Sequence, residues 1–115
     1  MPKPKRGEIW LVRFPFTSLT LTKLRPALVL AVHGEDIIMM GIFSRMPSGS
    51  FRETWVQIDD QHPHFSQTVL KKTSLLKAEK IAVLHESVLY RKLGVLPGNI
   101  MKQVEKALKT ALLLS

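Results

Sequence analysis

The sequence predicts a mainly β fold: a small antiparallel sheet curled into a barrel or sandwich, followed by one C-terminal helix. Three observations predict it. Short runs of alternating apolar and β-branched or aromatic residues recur from Glu8 to Ile58, separated by turn-forming residues. No helical pattern long enough for a crossover lies between the first four runs, which leaves antiparallel pairing. After Pro97 the apolar period changes from two to that of a helix.

Glu8 to Phe14 sets Trp10, Val12 and Phe14 against Ile9, Leu11 and Arg13, a strand whose first face Phe16 extends. Arg25 to Val32 and Ile37 to Phe43 are the second and third strands, joined by His33-Gly34-Glu35-Asp36, which has the small and polar residues of a hairpin turn. Glu53 to Ile58 is the fourth. Gln67 to Leu70 and Leu75 to Leu84 are expected to supply one or two short strands more. At the end, Ile100, Val104, Ala107, Leu108, Ala111 and Leu112 line one helical face, with Lys102, Lys106 and Lys109 on the other. Asn99 is the expected N-cap, and Glu105 with Lys109 an i,i+4 pair. The apolar face of this helix is expected to close one side of the sheet.

At 115 residues, 45% of them hydrophobic, the chain is one domain's worth with material for one core, so a multidomain enzyme is excluded. Zero cysteines remove a disulfide framework and any thiol chemistry, which suits a reducing cytoplasm. The basic start around Lys3, Lys5 and Arg6 runs into Gly7-Glu8 and Arg13, so no export signal is expected. The longest apolar runs, 26–32 and 37–43, are far too short to span a bilayer, and no membrane partner is expected.

The net charge of +8 is spread unevenly: residues 1–25 carry +5, residues 26–70 carry −3, residues 71–80 carry +3 and the remainder +3. Such an excess attracts polyanions, nucleic acid above all. The N-terminal end and the stretch Lys71, Lys72, Lys77, Lys80 are the expected footprint. His85-Glu86 opens like a zinc-protease motif, but Leu89 stands where the second histidine belongs. His62-Pro63-His64 lacks a third ligand, so neither a metal nor any other cofactor is expected. Nucleophile-elbow, phosphate-loop and zinc-deaminase motifs are absent, which leaves chemistry that uses arginine, lysine and hydroxyls on a polyanion.

The stretch Arg6-Gly7-Glu8-Ile9-Trp10-Leu11-Val12-Arg13-Phe14-Pro15-Phe16-Thr17, then Lys23-Leu24-Arg25-Pro26-Ala27-Leu28-Val29-Leu30, resembles the MazF/PemK family, small endoribonuclease toxins of bacterial toxin-antitoxin pairs. Lys72 to Ile81 resembles a later strand of that family, and Leu93-Gly94-Val95-Leu96 before a helix resembles its ending. The resemblance implies an SH3-like antiparallel barrel with a C-terminal helix, a single domain over residues 1–115, a homodimer, and metal-independent cleavage of single-stranded RNA. In that reaction the ribose 2′-hydroxyl attacks its own phosphate. A separate antitoxin with an acidic segment is the implied protein partner. Arg25, extended by the proline after it, can donate two hydrogen bonds to a phosphate without titrating.

Phe43 falls where the family has a threonine, and the loop 17–24 lacks the family's acidic residue. Pro97 falls where the family tends to have a capping serine. Ser44 is the nearest hydroxyl, although strand alternation turns it away from the Arg25 face unless a bulge or loop re-aims it. Arg25 and Ser44 are therefore the expected catalytic residues, with Lys23, Arg45, Thr17, Lys5 and Arg6 as RNA contacts. Three functions follow: an RNA-cleaving toxin, favoured by charge and Arg25; a catalytically weak family member that binds RNA or a protein, favoured by Phe43; and a gyrase poison of the related CcdB type, disfavoured by the ending Ala111-Leu112-Leu113-Leu114-Ser115, which has no tryptophan.

Overall fold

The computed structural model describes residues 3–13 and 24–114. Strands β1 (Glu8–Arg13), β2 (Leu24–His33), β3 (Asp36–Phe43), β4 (Trp55–Ile58), β5 (Ser74–His85) and β6 (Leu89–Val95) precede helix α1 (Gly98–Ala111). They form one sheet in the order β4-β5-β3-β2-β1-β6, every pair antiparallel. The mainly β fold with a C-terminal helix is thus as the sequence indicates. Gly34 follows the last β2 residue at φ +63, a conformation the turn requires and a side chain would resist, and His33 pairs with Asp36 across it.

The period-two pattern of β1 to β3 places two apolar sets on opposite faces of the sheet. Ile9, Leu28, Met40 and Leu76 pack with Ile100, Val104 and Ala107, so α1 covers one face as its pattern predicts. Trp10, Val12, Ala27, Val29 and Met39 form the second cluster on the other face. Arg25 shares this second face, two residues before Ala27 and opposite Val12.

Five expectations are corrected. Residues 67–70 are not a strand: Phe65–Thr68 is a 3-10 turn and Val69 is left-handed at φ 60. The Thr68 hydroxyl donates to the Phe65 carbonyl at 2.7 Å and accepts from the Leu70 amide at 3.2 Å, local bonds that replace a ladder. β5 is one twelve-residue strand, and β6, unanticipated, is an edge strand whose Tyr90, Arg91 and Lys92 face outward. β4 starts at Trp55, because Glu53 and Thr54 belong to a turn closed by Trp55 N–H on the Arg52 carbonyl. The helix begins two residues earlier than expected: Pro97, not Asn99, is the N-cap, its carbonyl accepting from Ile100 and Met101, while Asn99 lies 3.2 Å from His62. Glu105 pairs with Arg6 at 2.6 Å.

Candidate active site

Arg25 is the second residue of β2, and Pro26 fixes its extended backbone beside the last turn of β1. Its side chain is half-buried, and its Nε is fully buried with no hydrogen-bond partner among the described residues. A buried guanidinium nitrogen without an acceptor costs free energy that a bound anion recovers. The residue opens into a cavity of about 410 Å³ that is also lined by Phe43, Ser44, Arg45, Met46, Pro47 and Lys77. Among the described residues, three of the seven that line it are cationic and none is acidic.

Phe43 and Lys77 explain each other. Phe43 ends β3 opposite Leu75, which places it on the same sheet face as Lys77 two residues further along β5. Lys77 Nζ lies 5.0 Å from the Phe43 ring centroid and 4.5 Å from that of Trp55, its cross-strand partner. The ammonium is held between two aromatic faces, an interaction worth about 0.5–2 kcal/mol and one that leaves N–H groups for a ligand. The ring at position 43 donates no hydrogen bond, but it seats a side chain that does.

Trp55 is itself clamped. Its indole N–H donates to Glu79 at 2.8 Å, and Thr54 Oγ1 and Arg52 Nη1 donate to the same carboxylate at 2.8 Å each. Partial burial pushes the Glu79 carboxyl up, but the bonds from Trp55, Thr54, its own backbone amide and Arg52 outweigh it and hold the group at about 2. Glu79 therefore stays charged and fixes the ring that seats Lys77.

Of the residues expected from sequence, the structure gathers Arg25, Ser44 and Arg45 around one cavity. Ser44 reaches it because β3 ends at Phe43, so strand alternation does not govern the serine. Thr17 and Lys23, with Phe14 and Phe16, lie outside the described residues. Lys5 and Arg6 are not brought there. Arg6 donates to the Leu30 carbonyl at 2.6 Å and pairs with Glu105 on α1. Leu30 stands five residues along β2 from Arg25, roughly 17 Å at the rise of a strand. Sequence reasoning placed Lys77 in a basic stretch but not in the site. The available signal was a lone cation inside the apolar run Leu75-Leu76-Lys77-Ala78, where Leu75, Leu76 and Ala78 are fully buried.

The histidines form no second centre. Among the described residues no three His, Asp or Glu side chains come together as a metal site. His85 bridges Glu35 at 3.0 Å and Ser87 at 2.9 Å, an order that mimics a nucleophile triad. The Ser87 amide also donates to the same ring nitrogen, however, so the group is an exposed cap of the short turn Glu86–Val88.

Six antiparallel strands, a helix across one face and an arginine-centred cationic cavity at the mouth of a strand define a small class of β protein. A sequence model of PemK-like, MazF-like toxins of type II toxin-antitoxin systems matches residues 5–112, and the chain belongs to that family. No curated protein matches the sequence. Among solved structures, the chain is similar to an endoribonuclease in complex with its cognate antitoxin from a mycobacterial species, at 21% identity over 98% of each chain and a TM-score of 0.72. It is similar to the Mycobacterium tuberculosis toxin MazF-mt6 at 18% identity, covering 94% of this chain and 98% of that one, with a TM-score of 0.73. MazE-MazF from Deinococcus radiodurans matches at 18% identity over 97% and 98% of the two chains, with a TM-score of 0.68. At these identities the likeness is one of fold. No helix among the described residues is long and apolar enough to cross a membrane.

Proposed function

We propose that this chain is the single-domain toxin of a cytoplasmic toxin-antitoxin pair and that it cleaves single-stranded RNA at the Arg25 cavity. The observation that carries the reading is Arg25, whose Nε is buried without a hydrogen-bond partner among the described residues and which lines a cavity whose charged groups, among those residues, are all cationic. The 2′-oxygen bonds to the adjacent phosphorus as the bond from phosphorus to the 5′-oxygen breaks, leaving a cyclic phosphate and a 5′-hydroxyl. Among the described residues no carboxylate or imidazole lines the cavity. The protein's contribution is charge. Arg25 and Arg45 donate to the non-bridging oxygens, Lys77 adds a third cation from its aromatic seat, and Ser44 supplies a hydroxyl. Family membership supports the nuclease reading and a cognate antitoxin, whose acidic segment would compete for the same cations.

The test uses a defined single-stranded RNA with chelator present. Wild type is expected to release fragments ending in a cyclic phosphate, and a 2′-deoxy substitution at the cut nucleotide is expected to block release. Cleavage that survives the 2′-deoxy substitution contradicts the mechanism. A second reading, a family member that binds RNA without cutting it, is favoured by the absence of a hydroxyl at Phe43; uncut RNA bound by folded wild type would establish it. A homodimer is proposed on the exposure of Phe51 and other apolar side chains, and light scattering that gives one chain's mass overturns it.

A further inference from the structure

A second cavity, of about 380 Å³, lies across the sheet from the first, and Ser44 lines both. Its floor is a row across three strands. Pro26 pairs with Leu11, and Leu11 pairs with Arg91 of β6. These positions alternate with Arg25 and Val12, so they present the opposite face. Leu93 and Leu70 extend the apolar floor, and Lys71 and Lys72 stand on the wall facing Arg91.

The wall is built for its place. The turn Phe65–Thr68 packs so tightly on β6 that a Cβ on Gly94 would lie 2.1 Å from the Gln67 carbonyl oxygen. Thr68 is buried, and Val69 takes a left-handed φ of 60, which turns the chain so that Lys71 and Lys72 reach the cavity. No acidic residue lines the cavity, and none pairs with Lys71, Lys72 or Arg91 among the described residues.

We infer that this second cavity binds a neighbouring nucleotide of the same single-stranded RNA, so that the strand crosses the end of the sheet at Ser44. The inference rests on the nuclease reading for the identity of the polymer. The apolar lining of Leu11, Pro26, Leu70 and Leu93 accepts the flat face of a base, and Lys71, Lys72 and Arg91 accept its phosphates. One polymer with a repeating phosphate fits two cationic cavities that meet at a single residue.

Fluorescence anisotropy with labelled oligouridylates carrying 2′-O-methyl riboses, which cannot be cleaved, tests this. Wild type should bind a long oligomer more tightly than a short one, and K71Q/R91Q should lose about tenfold in affinity for the long one. Its log-log salt slope should fall by about 0.7 for each phosphate that the variant no longer neutralises. K102Q/K109Q removes the same charge from α1 and should keep the wild-type slope. Equal affinity and slope for K71Q/R91Q and K102Q/K109Q overturn the inference, as does a wild type that binds no oligouridylate. Loss of binding to an acidic peptide, with RNA binding intact in K71Q/R91Q, also overturns it by assigning the cavity to a protein partner. Wild-type cleavage of unmodified RNA, scored separately, reports on the nuclease reading: cleavage with an unaltered K71Q/R91Q removes only the second cavity, and selective loss in K71Q/R91Q without any cleavage supports the RNA track while removing the nuclease.

Discussion

Phe43, where the family resemblance implies a hydroxyl donor, is an aromatic seat for an ammonium, and the consequences are testable one side chain at a time. Lys77 lies between the Phe43 and Trp55 rings at the edge of the Arg25 cavity. Lys77→Gln should lower RNA cleavage about a hundredfold, the order expected for one donor aimed at developing charge. Phe43→Thr restores a hydroxyl yet unseats Lys77, so cleavage should fall rather than rise; a gain in single-turnover rate would show that the hydroxyl outweighs the lysine. Glu79 is the support behind this pair. Its carboxyl, held at about 2 against an ordinary 4.5, is depressed by folding, so the unfolded chain binds the proton more readily. The stability it contributes is fully present above pH 4.5 and is lost as the pH falls towards 2. Thermal melts should therefore show Glu79→Gln less stable than wild type at neutral pH, with the gap closing below pH 4.5; a constant gap would mean that shape rather than charge is at work.

The elements were legible where their pattern was local. β1 alternates, β2 and β3 are short unbroken apolar runs, the Gly34 turn carries its own conformational demand, and α1 shows its covered face in the spacing of Ile100, Val104 and Ala107. The failures share a cause: the deciding partner was distant in sequence. β6 reads as polar around Arg91 and Lys92 because, at the edge of the sheet, it exposes side chains on both faces, and only its pairing with β1 makes it a strand. Residues 67–70 have strand-like composition, but they pack against Gly94, a neighbour that composition does not encode. Glu105 sits one helical turn before Lys109 and yet reaches Arg6 from the far end of the chain. Gly94→Ala probes this packing directly. Its methyl would meet backbone atoms of Gln67 and Thr68, which have no rotamer to yield, so the loss should be about 3 kcal/mol or more by chemical denaturation. A loss under about 1 kcal/mol would show that the turn moves away freely.

Over the whole molecule, the +8 charge describes a surface without locating the chemistry. Arg25, Arg45 and Lys77 come from β2, the segment after β3, and β5, three stretches well separated in sequence. The N-terminal basic residues, the densest in the sequence, serve elsewhere: Arg6 ties β2 to α1 and Lys3 pairs with Glu86. The resemblance carried by Arg25-Pro26 pointed to a residue that lines the cationic cavity, and the sheet order brings Lys77 beside it. The central claim is that Arg25 is the anion-binding group at which RNA is cut. One measurement tests it most directly: single-turnover cleavage of one defined RNA, with chelator, by wild type and by Arg25→Ala of equal thermal stability. The account predicts a wild-type rate that falls about 100- to 1,000-fold in Arg25→Ala; equal rates for the two folded proteins would contradict it.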